Sequence, residues 1–248
     1  LEKMGYSYKN NKVLIPPYRA DILHEIDIVE DIAIAYGFEN FGEEIPRVAT
    51  IAQESPLESF KNKIAGILVG LGILEINSYN MIDKADATLK MNINMPCIEL
   101  ENPVNMGYNV LRPWLIPSLI KILSENKHYE YPQNIFEIGT VFKENPKTET
   151  GTEENQRLAV LLCRKDSDFT KIKQVLDALF NALSLKYSIE ETDHSSFIPG
   201  RAGKIIINNM ELGIIGEVHP KSLNNFQIEM PVAALELNVT ELFNIIKK

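Results

Sequence analysis

Cysteine is scarce in this sequence. Cys97 and Cys163 stand alone and far apart, in no zinc-ligand spacing, and read as buried thiols in a reducing compartment. No apolar run approaches the ~18 residues of a membrane span. Positive charge is also short: 25 Lys and Arg face 34 Asp and Glu, a formal net charge of −9. That balance argues against broad nucleic-acid binding, which needs clustered bases to neutralise phosphates, and leaves room only for a local RNA contact. The opening LEKMGYSYKN has neither an initiator Met nor a signal-peptide pattern. It reads as a cut inside a longer protein, with Leu1–Gly5 as the end of a helix. There is no internal repeat and no low-complexity tract.

What is present is a chain of 248 residues, 45% of them hydrophobic, enough for one large domain and a smaller piece. Residues 12–15 read as a short strand ended by Pro16 and Pro17. A helix from about His24 to Tyr36 stops at Gly37. Residues 42–56, rich in Gly, Pro, Ser and acids, read as a linker. From Leu57 to Leu71 an amphipathic helix is spaced by Leu57, Phe60, Ile64, Ile67, Leu68 and Leu71. Further helices are expected at 114–125, 169–183, 220–226 and 240–247. Strands are expected at 75–79, 134–143, 158–163, 186–190, 204–207, 212–218 and 232–239. The polar run 143–154 reads as an exposed loop. The pattern predicts an α+β fold with a mostly antiparallel sheet.

The segment PPYRADILHEIDIVEDIAIAYGF, residues 16–38, carries the most chemistry. Asp27, Glu30 and Asp31 stand at i, i+3 and i+4 and share one helix face at ~100° per residue. Asp21 lies just ahead of the helix, and Ile26, Val29, Ile32, Ala33 and Tyr36 can supply a buried face. Four crowded carboxylates repel unless neutralised, and a hard divalent cation such as Mg²⁺, with oxygen ligands and waters, would do so. The spacing equally suits a solvated acidic face eased by the helix dipole, with Asp21 as an N-cap or Arg19 as an ion-pair partner.

This segment resembles the metal-binding module of phenylalanyl-tRNA synthetase β subunits. The resemblance implies a winged-helix-like shape, of which this chain would hold the second half, and a magnesium site at Asp21, Asp27, Glu30 and Asp31, all acidic here. It extends along nearly the whole chain. LENPVNMGYNVLRPWLIPSLIKILSEN (100–126), with Asn102-Pro103 and Leu111-Arg112-Pro113, is similar to a family segment. So are NIFEIGTVF (134–142), FIPGRAGKI (197–205, with Ile198 where bacterial members often have His) and GIIGEVHPKSLNNFQIEMPVAALELNV (213–239). Three parts are thereby implied: residues 1–42 as the half-module, 43–56 as linker, and 57–248 as a catalytic-like domain of class II synthetase fold. The end after that domain, without an anticodon-binding extension, resembles the archaeal or eukaryotic type. The family's partners would be a catalytic α subunit in an α₂β₂ heterotetramer and, through it, tRNA(Phe), in the cytoplasm and off the membrane.

Amino-acid activation on such a fold needs arginines to hold the ATP phosphates. The expected Phe-Arg-x-acidic segment reads Val141-Phe142-Lys143-Glu144, with Lys143 in the arginine's place. No Gly-x-Gly-x-Gly-x-x-Arg segment occurs; Gly70-Leu71-Gly72 and Gly213–Gly216 lack the arginine. The domain is therefore expected to lack an active site and to scaffold the α subunit. Arg112 and Arg201 read either as contacts to α or tRNA or as internal salt bridges, and Trp114 as a core or interface anchor. His219 reads as a backbone-bonded turn residue, and His24 and His194 as exposed loop or helix-start residues. No Ser/His/Asp or Cys/His set supports nucleophilic catalysis. Two other readings compete: a nucleic-acid or protein-interaction module outside translation, opposed by Arg19 standing alone against eight acids in residues 18–44, and a self-sufficient ligase, opposed by the missing Gly-rich segment.

Overall fold

The computed structural model describes residues 1–44 and 52–247, so part of the expected 42–56 linker lies outside the described residues. Two compact units emerge, Leu1–Gln53 and Glu54–Lys248.

The smaller unit opens with a short 3-10 helix, Glu2–Met4, where the end of a helix is expected; Gly5, at φ 87°, closes it. Strands β1 (Ser7–Lys9) and β2 (Lys12–Leu14) form an antiparallel hairpin. Its two turn residues, Asn10 and Asn11, both adopt left-handed backbone (φ 52° and 56°), the conformation that matches hairpin twist and that Asn tolerates well. Helix α1 (Glu25–Tyr36) follows, with His24 as N-cap and Gly37 at φ 94° as its stop. The expected buried face of α1 is not found: Ile26, Val29, Ile32 and Tyr36 are all exposed, and the helix has no buried residue. Among the described residues of this unit, a hairpin and one helix offer the apolar stripe no second layer.

The larger unit is a seven-stranded sheet with a helical layer on each face. Its elements run α2 (Pro56–Gly70), β3 (Leu74–Glu75), β4 (Met81–Ile82), α3 (Lys84–Ala87), β5 (Val110–Leu111), α4 (Ile116–Glu125), β6 (Gln133–Glu144) and β7 (Thr152–Cys163). Then come α5 (Phe169–Ala182), β8 (Ser188–Glu191), β9 (Phe197–Ile207), β10 (Met210–Val218), α6 (Pro220–Asn225), β11 (Val232–Asn238) and α7 (Val239–Ile246). The sheet order is β3-β6-β7-β11-β10-β9-β8, parallel only between β3 and β6. The polar run 143–154 is shorter as a loop than expected. Strands β6 and β7 stay paired from Gln133↔Cys163 to Glu144↔Thr152, leaving only 145–151 outside the ladder.

Strand alternation builds two cores from one sheet. Leu158, Val160 and Leu162 of β7 face Phe60, Ile64 and Leu68 of α2, Leu176 of α5 and Leu242 of α7. Ala159, Leu161 and Cys163 face Ile116, Leu119, Ile120 and Leu123 of α4. The 60/64/68 spacing keeps one stripe of α2 on the sheet, and each fully buried side chain of this size contributes roughly 1.5–3 kcal/mol. Gly213 answers a close approach: a Cβ there would lie 1.9 Å from the Glu236 carbonyl oxygen of the paired strand. Gly216 is likewise crowded, by the Arg201 carbonyl and the Phe197 ring.

Candidate functional site

The four acids singled out in the smaller unit are held in three different ways. Arg19 clamps two of them. Its Nη1 donates to Asp31 Oδ2 at 2.7 Å, its Nη2 to Asp21 Oδ2 at 2.7 Å and its Nε to Asp21 Oδ1 at 2.9 Å. The Tyr6 hydroxyl also donates to Asp31, and the guanidinium carbon sits 5.5 Å from the Tyr6 ring centroid. Asp27 serves the helix start: its Oδ2 accepts from the Leu23 and His24 amides, both at 2.8 Å, while His24 Nδ1 accepts from the Ile26 amide at 3.3 Å. The N-cap is thus His24, reciprocated by Asp27. Glu30 is exposed and has no hydrogen-bond or ion-pair partner among the described residues.

These contacts set the electrostatics. The Arg19 guanidinium is the main cause holding the Asp21 and Asp31 carboxyls below the usual carboxylate range, with Tyr6 adding to the effect at Asp31. The His24 amide, then that of Leu23, lowers Asp27. Desolvation, reinforced by Asp31, pushes the Tyr6 phenol up to about 12. All-oxygen donors suit a hard cation chemically. By placement they do not form a cage with Arg19 seated: among the described residues no three acidic, His or Cys side chains are grouped to hold a metal ion.

The larger unit holds a second charged constellation, buried in the sheet. Arg112 is 1% exposed, and its Nη1 donates to Glu137 Oε1 and to Ser78 Oγ, both at 2.7 Å. Nε donates to the Thr140 carbonyl at 2.7 Å and Nη2 to Asn80 Oδ1 at 3.0 Å, so the fork is largely satisfied. Gly139 makes room for it: a Cβ there would sit 2.3 Å from Nη2. Glu236 of β11, also 1% exposed, accepts from the Leu115 and Ile116 amides at 2.9 and 3.0 Å and pairs with Arg157 at 3.2 Å. Helix α4, whose N-cap Leu115 has no capping side chain, is capped from the sheet.

Arg112 is therefore an internal salt bridge, whereas Arg201, more than half exposed, donates to Glu217 at 2.6 Å on the surface. Trp114 is a core residue whose Nε1 donates to the Ala87 carbonyl. His219 is bonded to backbone as expected, but as the N-cap of α6 and not in a turn: its Nδ1 accepts from the Lys221 amide at 3.0 Å. His194 departs from the expectation of an exposed loop residue: it packs at 5.7 Å from Trp114 and 5.3 Å from Phe197, and burial lowers its pKa. Lys143 is exposed on β6, opposite Glu153. Sequence reasoning missed the Glu137 and Glu236 roles; an acid at an inward position of an apolar strand was the available signal.

Comparison with known proteins fits this architecture. The solved structure of PylSc, a pyrrolysyl tRNA synthetase from Desulfitobacterium hafniense, superposes with a TM-score of 0.65 at 20% identity, covering 80% of this chain and 71% of that one. Four-fifths of the chain thus shares the fold of that synthetase. The model of the phenylalanyl tRNA synthetase beta chain CLM domain matches residues 42–239, and that of the tRNA synthetase B5 domain matches residues 1–38. The chain belongs to the phenylalanyl-tRNA synthetase β chain family. Phenylalanine--tRNA ligase beta subunits of Pyrococcus abyssi and Pyrococcus horikoshii are 42% and 43% identical to it over 98% of its length. The chain spans 45% of the length of each. Among the described residues, no helix is long and apolar enough to cross a membrane.

Proposed function

We propose that this chain works as part of the β subunit of phenylalanine–tRNA ligase, supporting the ATP-dependent attachment of phenylalanine to tRNA(Phe) in the cytoplasm. Its larger unit scaffolds a catalytic α subunit in an α₂β₂ assembly and does not itself activate the amino acid. The hairpin and helix of the smaller unit serve as the second half of a winged-helix-like module. The observation that carries this reading is the state of the arginines. All four in the larger unit are paired with carboxylates: Arg112 with Glu137, Arg157 with Glu236, Arg164 with Asp166 and Arg201 with Glu217. Arg112 and Arg157 are committed to buried acids, which opposes their receiving a triphosphate, while Arg164 and Arg201 are engaged by acids at the surface. The test is phenylalanine-dependent ATP–pyrophosphate exchange. The chain alone is expected to be silent, and full-length β mixed with α active; adenylate formed by the chain alone overturns the reading.

The acidic turn is, in the same proposal, a magnesium site formed by Asp21, Asp27, Glu30 and Asp31. Arg19 and the divalent cation are then alternative counter-ions for Asp21 and Asp31. Bound there, magnesium would supply charge neutralisation and an oxygen shell. Calorimetric titration of Mg²⁺ is expected to show binding that Glu30→Gln weakens and Arg19→Ala strengthens. Equal, negligible heats for all three proteins overturn it.

A further inference from the structure

The smaller unit closes around one side chain. Among its described residues Tyr6, 2% exposed, is the single buried one. Tyr6 stands just ahead of the β1–β2 hairpin, and its hydroxyl donates to Asp31 of α1. Among the described residues no other hydrogen bond joins the hairpin segment to α1. Arg19, in the segment that connects the two, covers this contact. Its guanidinium carbon lies 5.5 Å from the Tyr6 ring centroid, and its Nη1 donates to the same Asp31 oxygen. The Arg19 side chain is only 23% exposed, so it is lodged in the unit and does not wave from it.

Seated there, Arg19 fills the oxygens that a hard cation would need. Its Nε and Nη2 take Oδ1 and Oδ2 of Asp21, and its Nη1 takes Oδ2 of Asp31. A planar fork bridging two carboxylates neutralises them as a small cation does. Mg²⁺ requires bare oxygens at about 2.0–2.1 Å in a near-ideal octahedron. The same oxygens cannot serve both, and a dication beside a guanidinium sets like charges against each other. Arg19 is the one strong base in residues 18–44, so no neighbouring base in that stretch replaces it once it leaves.

We propose that Arg19 is an autoinhibitory plug. While it is seated, the smaller unit is closed and Asp21 and Asp31 are kept from divalent cations. When it leaves, both carboxylates are bared and Tyr6 is uncovered in the same event. The proposal rests on the reading of the acidic turn as a magnesium site and adds a conformational consequence to it: occupancy of the turn and exposure of Tyr6 change together.

The test is titration of the whole chain with MgCl₂, against NaCl at matched ionic strength, followed by calorimetry and by the Tyr6 ring resonances. Without Mg²⁺ the ring should show cross-relaxation to the Arg19 side chain and little broadening by a soluble paramagnetic agent. With Mg²⁺ the cross-relaxation should vanish and the broadening rise along the same saturation curve as the heat. Arg19→Gln should uncover Tyr6 with no cation present and tighten Mg²⁺ about tenfold, the effect of an open form about one-tenth populated in the native chain. Arg19→Lys keeps the charge without the planar fork and should fall between the two. Tyr6→Phe removes only the hydroxyl and should tighten Mg²⁺ by about two- to tenfold, the worth of one hydrogen bond; it stands in where Arg19→Gln fails to fold. Heat from Arg19→Gln with none from the native chain is the plug at its tightest and supports the proposal. Mg²⁺ heat with Tyr6 still covered by Arg19 overturns the plug and leaves the magnesium site standing. No heat from any of these proteins removes the magnesium site and the plug with it.

Discussion

Glu137 and Glu236 stand in one row of the sheet, each registered opposite Ala159 of the strand between them. Two buried carboxylates so placed would be intolerable unless each had its own partner, and each has one: Arg112 for Glu137, and the α4 amides with Arg157 for Glu236. The row ties α4 and the segment before it to the centre of the sheet.

Removing one member of the Arg112–Glu137 pair strands the other in the core. Glu137→Ala is expected to cost about 3–5 kcal/mol, because an unpaired buried guanidinium keeps its full desolvation penalty. Replacing both, as Arg112→Met with Glu137→Leu, should recover part of that loss, since an apolar pair of similar volume leaves no orphan charge. Urea denaturation of the singles and the double measures the coupling. Additive losses would mean that the pair is not the unit of stability.

Glu236→Ala removes the cap of α4 from a distance of some 120 residues in sequence and leaves two buried amides without acceptors. A loss of roughly 1–3 kcal/mol is expected, with faster hydrogen exchange at the Leu115 and Ile116 amides than in the rest of the helix. Unchanged protection at those two amides would contradict the assignment.

Much of this fold is legible in the sequence because local signals agree with it. The 60/64/68 stripe of α2, the Gly37 stop and the long apolar strands each state their own structure. Three things escape. Alternation cannot tell which strands are neighbours, so the shared row of Glu137 and Glu236 is invisible. The 143–154 run looks like a loop because its strand residues face solvent and are polar, whereas cross-strand pairing, not hydropathy, decides their conformation. In the acidic turn, spacing brings Asp27, Glu30 and Asp31 to one face, but it does not reveal that Asp27 folds back onto the Leu23 and His24 amides or that Arg19 bridges Asp21 and Asp31.

Gly213 sits where its strand and β11 leave no room. With a Cβ 1.9 Å from a backbone oxygen, Gly213→Ala must push the strands apart, at a cost of about 1–3 kcal/mol or more. Gly72, which has nothing within 4 Å of a built Cβ, is the contrasting case: Gly72→Ala meets only the strain of its φ of 76°. Thermal melts of the two should differ, the first falling further. Equal shifts would mean that the close strand packing at Gly213 costs no more than the left-handed backbone at Gly72.

The clamp in the smaller unit sets a pH window with two edges. Asp21, Asp27 and Asp31 have folded pKa values below the ordinary carboxylate value near 3.8, so the unfolded chain takes up protons first. Their contribution is present above that value and is lost as pH falls through the depressed folded values. Tyr6 works the other way. Its phenol is raised from 10.0 to about 12, so its contribution is whole below pH 10 and disappears as pH rises from 10 towards 12. Ultraviolet titration of tyrosinate should show Tyr6 and Tyr187 as late-ionising phenols, and Tyr6→Phe should remove one of them. Asp31→Asn should bring the Tyr6 phenol earlier by replacing the charged acceptor of its proton with a neutral one. If Tyr6→Phe leaves the late-ionising phenols undiminished, the Tyr6 assignment fails; Tyr187→Phe, which removes the phenol raised by burial and Asp177, is the control.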